Sequence, residues 1–411
     1  MFRFPRPTIL AALFAALFAA LCAAGCATTP AGNPSAMLAE QRFDGGRLAA
    51  IDRAVNEAVA ARKLPGAVFR LEREGAVYER GYGKTSYEAD AVPVTPDTIF
   101  DAASLTKVLV TAPAVLMLAE EGRIALDAPL VRYFPECAGG GKDAITVRHL
   151  LSHTSGLASG LPAKPGWRGD DSAHALACAQ QTTHPPGSFF RYSDINYVLL
   201  GQLVRRVSGM PLHEFAQRRI FTPLGMSDTG YLPLARVSAA AIAPTQKGGP
   251  EGLHGDLAPG RLLQGVVHDP TVRRMGGVAG SAGVFSTARD IARFARMLLN
   301  GGELDGVRVL GKDSVRLLTT AQTPPGIDAL RGLGMDIDSP YAKRPRGNVY
   351  PIGSYGHTGF TGCILWIDPV SRSFYVFLSN RVYPDDKSNI LHLYTELGTL
   401  AAQASAGPAL R

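Results

Sequence analysis

The stretch Phe100-Asp-Ala-Ala-Ser104-Leu-Thr-Lys107-Val-Leu-Val-Thr-Ala-Pro-Ala-Val-Leu-Met-Leu-Ala-Glu-Glu-Gly122 organises the rest of the chain. It is a run of apolar, helix-forming residues, polar at its start and stopped by Gly122. Its first turn holds Ser104 and Lys107, and side chains at i and i+3 share one helix face. A serine hydroxyl is a poor nucleophile at neutral pH and needs a base within hydrogen-bond reach. The spacing puts an amine beside it, at a helix N-terminus whose free N–H groups favour developing negative charge. The helix is otherwise greasy (Val108, Leu109, Val115, Leu116, Leu118), an environment in which desolvation favours a neutral lysine. Taken alone, the same four-residue pattern occurs by chance in many helices.

The surrounding chain narrows the reading. Its 411 residues are 46% hydrophobic and 19% charged, which describes an ordered globular protein of one large domain or two. A net charge of +7 is mild for this length. No dense Lys/Arg run interleaves with aromatics, so no nucleic-acid partner is expected. Arg3 and Arg6 form a basic start, and Thr8 to Ala24 is a short apolar run rich in alanine and leucine. That is the pattern of an export signal and not of a spanning helix. Residues 1–25 are therefore expected to be a signal peptide. The tail Ala-Ala-Gly-Cys26 resembles a bacterial lipobox, with Cys26 as the lipidated residue; a plain secreted protein cut near Ala24 or Ala27 is the alternative. In either case the mature protein leaves the cytoplasm, and with lipid on Cys26 it would be anchored to a bacterial membrane in the periplasm. Residues 26–46 are small, polar and Pro-bearing, as a tether requires. Of the cysteines beyond the leader, Cys137 and Cys178 lie in one segment and form the favoured bridge in an oxidising compartment. Three buried thiols, with Cys363, are the other reading. None stands at metal-ligand spacing.

Helical periodicity marks 47–62, with Leu48, Ile51, Val55 and Val59 on one face. Ala67 to Arg73 and Ala76 to Gly83 read as a hairpin turning at Glu74-Gly75. The middle, about 121–285, lacks strand alternation; helices are expected at Thr146–Ser152, Asn196–Ser208 and Leu212–Ile220. Thr287–Asn300 is amphipathic and capped by Ser286 or Thr287. Strand signals return at Tyr355–Asp368, read as one strand, and at Ser373–Asn380, before a helix over Ser388–Leu400. Strands at both ends with helices between imply an α+β fold. One antiparallel sheet is built from both chain ends and flanked by helices, with a mostly helical domain inserted. The expected division is an α/β domain of 47–102 and 286–411 and a helical domain of 103–285 that carries the nucleophile.

Two more stretches stand out chemically. Phe190-Arg-Tyr192-Ser-Asp194-Ile-Asn196 places a phenol at a loop–helix junction, and Gly356-His357-Thr358-Gly359-Phe360 opens a strand with small residues that admit a close ligand. Acyl transfer needs a nucleophile, a proton shuttle and donors for an oxyanion. The order S-x-x-K, Y-x-[N/D], H-T-G resembles the serine β-lactamase and penicillin-binding-protein superfamily. Within it the chain is most similar to the class C β-lactamase-related branch of carboxypeptidases, esterases and amidases. The likeness extends through Leu150-Leu-Ser-His-Thr-Ser-Gly-Leu157, Pro223-Leu-Gly-Met-Ser-Asp228, Gly283-Val-Phe-Ser-Thr287 and His357-Thr-Gly-Phe-Thr-Gly362. The resemblance implies Ser104 as nucleophile, with Lys107 and Tyr192 sharing the proton. It implies the N–H groups of Ser104 and Phe360 as oxyanion hole, Asp194, Asn196, His357, Thr358 and Gly359 as substrate contacts, and neither a metal nor an organic cofactor.

Two positions depart from the family pattern. Asp194 stands where an amide is usual, and a carboxylate there would hold Lys107 as ammonium and move the base role toward Tyr192; Asn196 is the other source of that amide. His357 replaces a lysine and is mostly uncharged at neutral pH, which weakens the grip on a carboxylate such as that of a β-lactam. The expected activity is an exported serine hydrolase working through acyl-Ser104 on peptidoglycan peptides or small esters. A class C-type β-lactamase and a non-catalytic cell-wall peptide-binding module are the alternatives. Oligomeric state has no signal in the sequence. His149 and His153 are spaced for zinc but lack a third ligand, and His268-Asp269 is a candidate for the cleft edge.

Overall fold

The computed structural model describes residues 1–2, 42–249 and 257–407. The leader, Cys26 and most of the tether lie outside the described residues.

Helix α1 (Gly45–Ala60) starts at Asp44, whose side chain accepts the Arg47 N–H, and buries Ile51, Ala54 and Val55. It is followed by strands β1 (Gly66–Arg73) and β2 (Ala76–Gly83). Glu74 and Gly75 between them both have positive φ, 48° and 85°, the geometry a two-residue hairpin turn needs to match strand twist. The sheet is completed from the other end of the chain by β3 (Asp336–Ile337), β4 (Tyr355–Gly359), β5 (Cys363–Asp368) and β6 (Ser373–Ser379). Its order is β2-β1-β6-β5-β4-β3 and every neighbouring pair is antiparallel. Strand β1 joins the two chain ends by pairing with β6, Ala67 opposite Ser379 through Arg73 opposite Ser373.

Period-2 alternation divides these strands between two cores. Phe69, Leu71, Ile364, Trp366, Tyr375 and Phe377 pack with α1 and with helix α5 (Leu391–Ser405). Val68, Leu365, Ile367, Val376 and Leu378 face the other way, into a larger core shared with helix α4 (Ala288–Leu299) and the nucleophile segment. Burial on both faces explains why β5 and β6 read as continuous apolar runs.

The single strand expected over Tyr355–Asp368 is two strands. The chain reverses at Phe360-Thr361-Gly362: Gly362 takes φ 109°, its N–H donates to Gly359 O at 3.0 Å, and β4 pairs back onto β5. Thr361 fixes the reversal by donating its hydroxyl to Asp101 O at 2.7 Å.

The segment that follows Ser104 is buried from Leu105 to Leu118. From Lys107 to Thr111 the backbone is π-helical, and it becomes an α-helix, α2, over Ala112–Glu120. Pro113 stands at the junction, and a residue with no N–H to give favours a widened turn before it. Every side chain from Lys107 to Leu118 is buried, which accounts for a helix apolar all round. Helix α3 (Asp194–Ser208) packs on α2 and ends in the left-handed Gly209. Cys137 and Cys178 are bridged, and Cys363 is a buried free thiol.

Candidate active site

Ser104 stands in a tight turn just before the helix and not in its first turn. Phe100–Asp101 pairs with Phe285–Ser286 and delivers the chain to that turn. Ala103 is then held at φ 46°, a conformation disfavoured for a residue with a Cβ. Asp101 fastens it: one carboxylate oxygen accepts the Ala103 N–H at 2.9 Å and the other accepts the His268 N–H at 2.7 Å. Burial pushes the Asp101 carboxyl up to about 6 despite those two bonds. On the other side, β4 runs so close that a Cβ at Gly359 would lie 2.5 Å from Ala102 O, so only glycine fits.

Lys107 is fully buried, and its ammonium has three acceptors: Ser104 Oγ at 3.1 Å, Ser281 O at 2.8 Å and Asp194 Oδ1 at 2.7 Å. Three acceptors match the three N–H donors of a charged lysine. Burial alone would lower its pKa, but the Asp194 carboxylate and Tyr192 outweigh that and raise it. The neutral amine favoured by the greasy helix is therefore overridden, and Asp194 holds Lys107 as ammonium in the way the carboxylate at that position predicts. Tyr192 lies over it, with Lys107 Nζ 5.0 Å from the ring centre. Burial raises the Tyr192 phenol, while the Lys107 charge and the Ser104 hydroxyl pull it back down.

Tyr192 is positioned from behind. The His153 ring centre is 4.4 Å from its own. His153 takes φ 59°, and its Nδ1 accepts the Ser193 N–H at 3.1 Å. Burial and the charges of Arg331 and Lys107 keep it neutral. Asn196, expected at the substrate, is fully buried beneath this turn. Its Oδ1 accepts the Ser155 hydroxyl at 2.6 Å and its Nδ2 lies 3.3 Å from His153 Nδ1. One turn into α3, its side chain is directed under the loop, so Asp194 alone of the pair reaches the site.

Ser104, Tyr192, Asp194, His268, Asp269 and Phe360 line one cavity of about 350 Å³. His357 does not line it. It is buried, donates from Nδ1 to Thr358 O at 2.7 Å, and has its ring centre 6.0 Å from that of Tyr192. Burial drives its pKa down to about 4, helped by the Arg331 and Lys107 charges. Thr358 and Gly359 line an adjoining cavity of about 360 Å³, from which Phe360 projects between the two.

One component had no signal in the sequence. Arg331 is fully buried, ion-paired to Asp336, and donates to Gly334 O at 2.8 Å. Its guanidinium stands 5.7 to 5.9 Å from the rings of Phe190, Tyr341 and Tyr192. It belongs to no recognisable motif, and only the fold brings it behind Tyr192. Among the described residues, Cys137, His174 and Cys178 are the group close enough to hold a metal ion, but both sulfurs are committed to the bridge.

A tight turn bearing Ser104, a buried helix and a six-stranded antiparallel sheet with helices on both faces define the class of fold. The sequence profile of the beta-lactamase family matches residues 51–397, and the chain belongs to that family of serine hydrolases. A protein of Escherichia coli strain K12 that carries the provisional name D-alanyl-D-alanine carboxypeptidase is 30% identical over 379 residues, 82% of this chain and 83% of its own. The octameric penicillin-binding-protein homologue from Pyrococcus abyssi has the same fold, with a TM-score of 0.66 at 23% identity over 86% of this chain and 76% of that one. A penicillin-binding-protein homologue from Caulobacter crescentus gives 0.67 at 22% identity, over 89% and 98%.

Proposed function

We propose that the protein is an exported acyl-serine hydrolase that cleaves D-alanyl-D-alanine-type peptidoglycan peptides, with small esters as surrogate substrates. The observation that carries the reading is the contact of Ser104 Oγ with Lys107 Nζ at 3.1 Å, in a cavity that Tyr192 and Phe360 also line. The name carried by the Escherichia coli relative supports the peptide substrate. The basic, apolar leader and Cys26 support export and a lipid anchor.

In this mechanism Lys107 stays charged and favours the Tyr192 phenolate. Tyr192 takes the Ser104 proton as Oγ attacks the substrate carbonyl. The negative charge that forms on the carbonyl oxygen is met by the backbone N–H groups of Ser104 and Phe360. Tyr192 returns the proton to the leaving amine or alcohol, and the acyl group remains as an ester on Ser104. A water then gives its proton to Tyr192 and attacks that ester; the phenol reprotonates Ser104 as the acid departs. Asp194 sets the charge state of Lys107. Thr358 and Gly359 offer the strand edge to the substrate.

The test is labelling by a fluorophosphonate or fluorescent penicillin, together with hydrolysis of a p-nitrophenyl ester, nitrocefin and a D-Ala-D-Ala muropeptide. Ser104→Ala should lose the label and on the order of 10³-fold or more in kcat. Turnover that survives in that variant would rule the mechanism out. A protein that binds muropeptides saturably but turns over nothing would instead be a binding module. Preferred turnover of nitrocefin would make it a β-lactamase, a reading that the uncharged His357 disfavours.

A further inference from the structure

Behind the wall of the catalytic cavity lies a second one, of about 480 Å³, in the range of small-molecule sites. Its walls are apolar: Leu232, Leu234, Val266, Val267 and Phe285. Three of these stay exposed, Leu232 at 43%, Leu234 at 49% and Val266 at 42%. Two glycines make the space. A Cβ at Gly265 would meet Leu234 at 2.5 Å, and one at Gly277 would meet Leu232 at 2.7 Å. Leu232 itself is held at φ 48°, an outlier for a branched side chain and a conformation that turns up at ligand clamps.

The polar part of the lining is cationic. Arg168, Arg273 and Arg274 stand on it, and among the described residues no carboxylate is ion-paired to Arg168 or Arg274. The Arg274 guanidinium sits 5.8 Å from the Trp167 ring centre. An apolar cavity whose lining includes two guanidiniums with no acidic partner among the described residues fits a molecule of complementary chemistry, an alkyl chain ending in an anion. We infer that this cavity is a binding site for an aliphatic carboxylate, distinct from the Ser104 cavity and independent of the reaction assigned there. The two cavities share a wall. Val267 faces this one and the following His268 and Asp269 face Ser104, while Arg273 ties the strip together by donating to Val267 O at 3.0 Å.

Trp167 supplies the probe, because the only other tryptophan, Trp366, is buried in the sheet. The full-length protein is titrated with dodecanoate below its micelle concentration, with dodecanol and acetate in parallel, by tryptophan fluorescence and by calorimetry. Saturable binding of dodecanoate is expected, with dodecanol and acetate weaker by on the order of tenfold or more. Arg168→Gln combined with Arg274→Gln should weaken dodecanoate by a similar factor. Leu234→Glu, at an exposed position that folding tolerates, should abolish it. Trp167→Phe should silence the optical signal but keep the calorimetric one. Equal affinity for dodecanol, no saturation, or an unchanged double variant overturns the assignment. So does binding to phosphatidylglycerol vesicles without binding to free dodecanoate, which would make this a membrane-facing surface.

Discussion

Asp194 Oδ1 lies 2.7 Å from Lys107 Nζ, and in the mechanism proposed above this contact turns the proton over to Tyr192. A lysine that already donates to serine, a carbonyl and a carboxylate has no lone pair to offer. Its charge lowers the cost of ionising the phenol beside it, while Asp194 raises that cost in turn.

Asp194→Asn separates these effects. Removing the carboxylate lets Lys107 fall toward its ordinary pKa and makes the Tyr192 phenolate easier to form. The limb of the kcat/KM profile that reports the base should move to lower pH by on the order of one unit, with ester hydrolysis faster at neutral pH. A pH–rate profile superimposable on that of the wild type would remove Tyr192 from the base role.

His357 is held uncharged, with its pKa pushed down to about 4 by burial. Between about pH 5 and pH 8 the imidazole buried behind Tyr192 therefore stays neutral and adds no charge to the cavity. The ratio of KM for a carboxylate-bearing ester to KM for its methyl ester should stay flat across that interval. A ratio that climbs through the ordinary histidine range, near pH 6.5, would mean that an imidazolium grips the substrate.

Asp101 predicts a pH dependence of stability. Its folded carboxyl titrates near 6 against about 3.9 in an unfolded chain. The folded state therefore holds the proton more tightly. That contribution is fully present below about pH 4 and is lost as pH rises through 6. In urea unfolding, the stability of the wild type relative to Asp101→Asn should drop by on the order of 2 kcal/mol from pH 4 to pH 7. Parallel curves for the two proteins would show that Asp101 does not titrate there.

The Arg331–Asp336 pair makes a prediction by difference. Arg331→Met strands a carboxylate whose side chain is 6% exposed, and should cost about 3–5 kcal/mol. Adding Asp336→Leu removes the stranded charge and should recover most of the loss. Calorimetry of the single and double variants checks this; additive losses would contradict it.

How much of this was legible varies residue by residue. The β1–β2 hairpin is written locally, in alternation and a Glu-Gly turn, and it stands where the sequence places it. Ser104 and Lys107 are three residues apart, so backbone geometry nearly suffices to bring them together. The charge on Lys107 is different. It depends on Asp194, nearly ninety positions on, and helix composition alone points to the wrong protonation state. Asn196 is misassigned because spacing along α3 says nothing about which side the loop above it covers. The reversal at Phe360–Gly362 sits in the Gly- and Thr-rich stretch Gly356–Gly362, whose small residues read equally well as room for a ligand, so the turn signal of Gly362 is masked. Arg331 is missed for another reason: Asp336 and Tyr341 are near it in sequence, but the Phe190 and Tyr192 rings that place it behind the site lie about 140 positions earlier.

The pairing of β1 with β6 ties the start of the domain to its last strand. A ribosome releases Ser104, Lys107 and Tyr192 long before it makes β4, which flanks the nucleophile, or β6, against which β1 must zip. During synthesis, and during any passage through a membrane as an extended thread, the serine is chemically ordinary. On the proposed mechanism, hydrolysis waits for the far end of the polypeptide to fold back, so a chain stopped short of Ser373 should carry Ser104, Lys107 and Tyr192 yet take no label from a fluorophosphonate.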